Sequence, residues 1–192
     1  MNVADPVEEP STTPVAGRSR SKKIAWDPMI EQLYAGWHRR VAAVEEGHHR
    51  MADALNLRSI MLGLPVVVLS TLVGTTAFAS LQKGDHIETW IKVAVGSVGV
   101  LAAILASAQT FLGYAKRSER HRIASVRYES LRRDMAQQLA LPPVARPDAQ
   151  KELNDVRTRM EKYAKESPPV PQRLWHRLCE KFSIDIFPPP IQ

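Results

Sequence analysis

Two long stretches without a single charged side chain constrain this chain more than any other feature. "IMLGLPVVVLSTLVGTTAFASL" covers residues 60–81 and "VAVGSVGVLAAILASAQTFLGYA" covers 93–115. Neither contains any of the chain's 26 Lys and Arg or 20 Asp and Glu. As helices they would extend roughly 33 and 35 Å, enough to cross about 30 Å of hydrocarbon. The helix of a soluble bundle shows polar residues on its outer face every turn. Here charge is missing for about six turns, twice. The mean hydropathy of −0.23 averages these runs with strongly charged flanks and conceals them. The expected fold is therefore all-α, with two apolar helices spanning a membrane.

The connection between the runs, "QKGDHIETWIK" over 82–92, is short and polar, which makes the helices an antiparallel hairpin. Trp90 falls where interfacial aromatics belong. Basic residues concentrate outside the hairpin: Arg40, Arg50 and Arg58 before it, and Lys116, Arg117, Arg120, Arg122, Arg127, Arg132 and Arg133 after it. The loop offers only Lys83 and Lys92. The positive-inside rule then places both termini in the cytoplasm of a two-span protein of the cell membrane, with most weight on "KRSERHR" directly after residue 115.

Outside the spans, a Pro-, Ser- and Thr-rich tail over 1–25 reads as disordered. It lacks the apolar core of a signal peptide, and Asn2 excludes N-myristoylation. Asp27 as N-cap, Pro28 and Glu31 start a cytoplasmic helix over 27–59. Leu33, Trp37, Val41, Val44, His48, Met51 and Leu55 make a near-heptad stripe on it. A second cytoplasmic helix, 116–140, carries Ala124, Tyr128, Leu131, Met135 and Leu139, and "LPPVARP" stops it. The simplest geometry runs each membrane helix straight out into this stalk, with Pro65 kinking the first. A third helix over 148–166 presents Leu153, Val156, Met160 and Tyr163 and completes a domain of residues 26–166. Residues 167–192 form a Pro-rich tail whose "PQRLWHRLCEKF" is short, basic and amphipathic. Such a segment either docks on the stalk, the favoured reading, or lies on an anionic membrane surface.

Catalytic chemistry finds no foothold. There is no glycine-rich phosphate loop, GxSxG, CxxC or HExxH, so the chain is expected to be neither an enzyme nor a cofactor protein. His48, His49 and His121 lack a thiol or ligand-spaced carboxylate, which argues against a metal; His48 in its heptad slot reads as a hydrogen-bonded interhelical residue and His121 as a buttress of the stalk near the membrane. Cys179 is the sole cysteine, which excludes an intrachain disulfide. The net charge of +6 is explained by a juxtamembrane collar rather than by a nucleic-acid surface.

The second span carries a seam of small residues: Gly96, Gly99, Ala103, Ala106, Thr110 and Gly113, spaced by three and four. Ser70 and Gly74 form a matching patch in the first. Small residues let helix backbones approach closely in lipid, where no hydrophobic force drives association. The seam packs one hairpin together or, in addition, joins several chains. Thr71, Thr75 and Gln109 are the candidates to face a lumen. Two helices cannot enclose a pore, so conduction requires a homo-oligomer.

The order and spacing of "HHRMADALNLRSIMLGLPVVVLSTLVGTTAF", "QTFLGYAKRSERHRIASVRYESLRRDMAQQL" and "KESPPVP" ahead of a tryptophan resemble the SLATT domains. These are two-transmembrane effectors associated with SMODS and SLOG proteins in prokaryotic conflict systems. The matching positions are Asn56 before the first span, Pro65 within its start and Gly74 and Thr75 in its middle, then "ERH", Tyr128 and Leu131 after the second. The resemblance implies an effector that permeabilises its own membrane when a linked sensor, typically a nucleotide-signalling protein, is triggered. No sensor domain is fused within these residues, so the trigger is expected to be a separate protein or ligand. The alternative is a non-conducting membrane anchor whose cytoplasmic helices recruit a partner protein.

Overall fold

In the computed structural model, which describes residues 23–83 and 88–184, the chain is all-α. Five helices follow one another: α1 Pro28–Lys83, α2 Thr89–Leu112, α3 Tyr114–Ala140, α4 Ala149–Glu166 and α5 Gln172–Lys181, with a 3₁₀ turn at Pro143–Ala145. No strand occurs among the described residues. The positions 1–22, 84–87 and 185–192 lie outside the described residues, and with them most of the expected tail and the centre of the expected loop.

α1 is a single helix of 56 residues, about 84 Å long, that carries both the charged segment and the apolar one. Asp27 starts it, its Oδ1 accepting from the Ile30 N–H at 2.7 Å, and Pro28 is its first residue. Pro65 interrupts the ladder by one donor, leaving the Met61 carbonyl without its usual partner, yet the helix continues through it.

The second long rod is not continuous, contrary to the straight-through geometry expected from sequence. Gly113 adopts φ 55° and ψ 33°, which ends α2 and begins α3. Its N–H still donates to the Gln109 carbonyl at 3.2 Å, and its own carbonyl accepts from the Arg117 N–H at 3.1 Å. Only a residue without Cβ takes this conformation cheaply, so Gly113 serves as a joint.

The charged ends of the two rods form a bundle. α3 packs along α1, and α4 folds back over both around a core of Tyr34, Val41, Tyr128, Leu131, Met135 and Val156. The stripe expected on α3 is the buried one. On α1 the stripe starts differently: Leu33 is exposed and Tyr34 is fully buried. The tertiary contacts explain the shift. Tyr34 meets Trp26 edge-to-face at 5.1 Å and its hydroxyl donates to Glu152 Oε1 of α4 at 2.9 Å. Burial and this carboxylate push the phenol well above its ordinary value.

Two further features hold the far end. Ile24, inside the stretch expected to be a loose tail, donates its N–H to Asp148 Oδ2 at 2.6 Å and accepts from the Ala149 N–H at 3.2 Å. Arg146, in the helix-stopping "LPPVARP", is the hub: it pairs with Glu31 at 2.6 Å, donates to the Leu141 carbonyl at 2.8 Å and lies 5.0 Å over the Trp26 ring. At the other end of the bundle, α5 docks on α1. Leu178 and Cys179 are buried, and Leu178 Cδ1 sits 3.1 Å from where a Cβ on Gly47 would stand. Arg40 lies over Trp175 and Lys181 pairs with Glu46. The favoured docking of this basic segment is thus the observed one.

Candidate membrane hairpin and its junction with the bundle

Beyond the bundle, α1 and α2 continue as an antiparallel pair, with no third layer among the described residues. The most apolar 18-residue windows of the two rods have mean hydropathies of 1.9 and 2.0, and only 0% and 6% of them is buried. Leu64, Val67, Leu72, Phe78, Val100, Ile104 and Phe111 all point outward. Two helices are therefore long and apolar enough to cross a membrane, and their outer surface is of the kind that marks lipid or protein contact.

The expected small-residue seam divides into two. Gly99 faces α1, where a Cβ would lie 3.9 Å from Val73 Cγ1, and Ala106 is half-buried on the same side. The tightest point involves a residue outside the expected seam: at Gly63 an added Cβ would come within 3.0 Å of Gln109 Nε2. Gln109, expected to face a lumen, thus lies against the other helix of its own hairpin. The antiparallel register that sets 63 opposite 109 is not readable from local spacing. Ala102, not Ala103, is the buried residue of α2. Gly96, Ala103 and Thr110, spaced by seven, are exposed on α2, as are Ser70 and Gly74 on α1. A Cβ added at Gly74, Gly96 or Gly113 would meet no atom of another element within 4 Å. Gly113 is the joint rather than a packing position.

Hydroxyls along both spans bond back to their own helix. Thr71 donates to the Val67 carbonyl at 2.8 Å, Thr75 to Thr71 at 3.0 Å, and Thr110 to Ala106 at 3.0 Å; Ser97 and Ser107 likewise bond the carbonyl four residues back. Such back-bonding hides the polar group from lipid without any partner helix. Thr71 and Thr75 are exposed on the hairpin surface.

Where hairpin meets bundle, Arg58, Lys116, Arg117, Arg120 and Arg122 are exposed in a band, and the nearby ion pairs His49–Asp53 and Arg50–Glu46 use none of them. Comparison with protein-family models, curated proteins and solved structures returns no match. The junction is thus read from its own chemistry. Its interior holds two of the three histidines singled out from sequence. His48 Nδ1 and His121 Nδ1 lie 3.0 Å apart, at 2% and 5% exposure, and Tyr128 stacks on His48 at 5.7 Å. Burial lowers His48 to about 4, with His121 contributing, and burial and Arg117 hold His121 below its ordinary value. His49 is exposed and faces Asp53. No group of three or more His, Cys, Asp or Glu able to hold a metal occurs among the described residues.

Proposed function

We propose that the chain is a two-span membrane effector of the SLATT kind. It assembles into a homo-oligomer and opens or disrupts the bilayer of its own cell when a separate sensor, such as a nucleotide-signalling protein, engages its cytoplasmic bundle. The observation that carries this reading is the exposed, uncharged hairpin joined to a well-packed charged bundle. The free cations at the junction match the headgroup level of a cytoplasmic leaflet, which favours both termini on that side. The outward stripe of Gly96, Ala103 and Thr110 is suited to close contact with a second copy, because it is the part of the small seam its own hairpin leaves uncovered.

One observation favours the non-conducting anchor instead. The hydroxyls of Thr71, Thr75, Ser97, Ser107 and Thr110 are each satisfied by their own helix, so none of these five calls for an aqueous lumen. Dye leakage from liposomes carrying the purified protein, paired with crosslinking, separates the two. The effector reading expects oligomers and leakage, both lost in Ala103→Leu, whose bulk points outward. Gly99→Leu strikes Val73 within the hairpin and is expected to disturb the single chain as well. Oligomers or monomers that never leak at any protein-to-lipid ratio, alone or with co-expressed sensor candidates, reject the pore.

A further inference from the structure

We propose that His48 and His121 form a proton-operated latch: neutral, they tie α1 to α3 at the membrane end of the bundle, and proton uptake releases that tie. The pair is placed to act this way. One rung nearer the hairpin, Ser118 Oγ donates to the Ala52 carbonyl at 2.8 Å, and the Gly113 joint follows within two turns. The packed core of Tyr34, Val41, Leu131 and Met135 begins on the opposite side of the pair. Parting α1 and α3 at this point would therefore free the joint while leaving the core closed.

The chemistry fixes the direction. Two neutral imidazoles whose Nδ1 atoms lie 3.0 Å apart share one hydrogen, one ring donating and the other accepting. A first proton preserves an N–H···N contact but buries a net charge. A second leaves two N–H groups facing each other. Among the described residues no carboxylate bonds either ring. On α1, Glu45 is engaged by Arg132 and Asp53 faces His49. On α3, Arg117 adds charge of the same sign, and Tyr128 stacks as a neutral phenol pushed up to about 12. α4 contributes the Tyr163 ring against Tyr128, α5 brings apolar Leu178 to Gly47, and α2 brings no charge, its lone Lys92 lying at the far end of the hairpin.

Burial holds both imidazoles below the ordinary value of 6.5, so the paired form is fully favoured above that pH. It weakens as pH falls below 6.5, by roughly tenfold in the opening constant per pH unit for each histidine that titrates on opening, until His48 itself protonates near 4.

Hydrogen exchange of the full chain in detergent or liposomes, corrected against the unfolded chain at each pH, reads the latch directly. Protection of segments 44–56 and 117–128 should fall at least tenfold between pH 7.0 and 5.0, while 34–41 and 131–135 stay protected. His48→Leu with His121→Leu should flatten that response, and His49→Gln should leave it intact. A wild-type response that is flat, or spread equally over the core, overturns the proposal. So does an unchanged response in the double variant, or one abolished by His49→Gln. Should the double variant not fold, His121→Gln replaces it: a response cut to half or less supports the latch, and an undiminished one overturns it. The measurement does not use leakage, so the latch and the pore fail separately.

Discussion

α1 is one unbroken helix whose two halves follow opposite rules. From Pro28 to about Leu55 it buries Tyr34, Val41 and Leu55 against α3, α4 and the 23–26 strap, and its charges pair across helices. From Ile60 onward it packs along α2 and leaves Leu64, Val67 and Leu72 outside. One backbone geometry supports both because a helix satisfies its own peptide groups in water and in lipid alike. What differs is where apolar side chains find cover. The bundle supplies it internally, whereas the hairpin relies on its surroundings.

Substitutions that test each half by its own rule sharpen this contrast. The largest effect is expected from Leu131→Ala, which empties a fully buried site and should destabilise the bundle by about 2–5 kcal/mol, seen as a lower midpoint in thermal circular dichroism. Leu72→Arg, at an exposed position in mid-span, should cost about 2.5–3.5 kcal/mol of membrane insertion and move protein into the carbonate-soluble fraction. Val144→Arg, at 97% exposure in the bundle, should change neither readout. Equal behaviour of Leu72→Arg and Val144→Arg would break the comparison, since the hairpin would then be an ordinary wet surface. Gly113→Ala should cost about 1 kcal/mol by placing a Cβ in the left-handed region, measurable in the same melts. The smallest effect belongs to Asp148→Ala, which frees the Lys151 and Ile24 N–H groups and should raise proteolysis near residue 24. Bonds from those two N–H groups lower the Asp148 pKa, so its contribution is present above the ordinary value of 3.8 and fades as pH falls below it.

Much of the fold was legible because its signals are local. Uncharged runs of helical length mark the hairpin, Asp27–Pro28 marks the start of α1, and the three-and-four spacing of Ala124, Tyr128, Leu131 and Met135 marks the buried face of α3. Readings that depend on register fared differently. Gln109 was expected in a lumen and lies against Gly63, while the seam divides between Gly99 facing inward and Gly96 and Ala103 facing out. Spacing defines a stripe on one helix, but the rotation of that helix against its neighbour decides which edge of the stripe is covered. Leu33 and Tyr34 trade places for the same reason, since Trp26 and Glu152 reach α1 from distant parts of the chain.

The sequence by itself determined that the chain is helical, that two of its segments are apolar enough to cross a membrane, and that its cations gather at one end of them. Those properties follow from composition along a single helix and need no partner. Only the tertiary structure decided that Gly113 breaks the second rod, that Arg146 and Asp148 anchor the far end, and that His48 meets His121 out of water. Each depends on residues tens of positions apart, or on a backbone angle, that become neighbours or become fixed only when α3 folds back along α1.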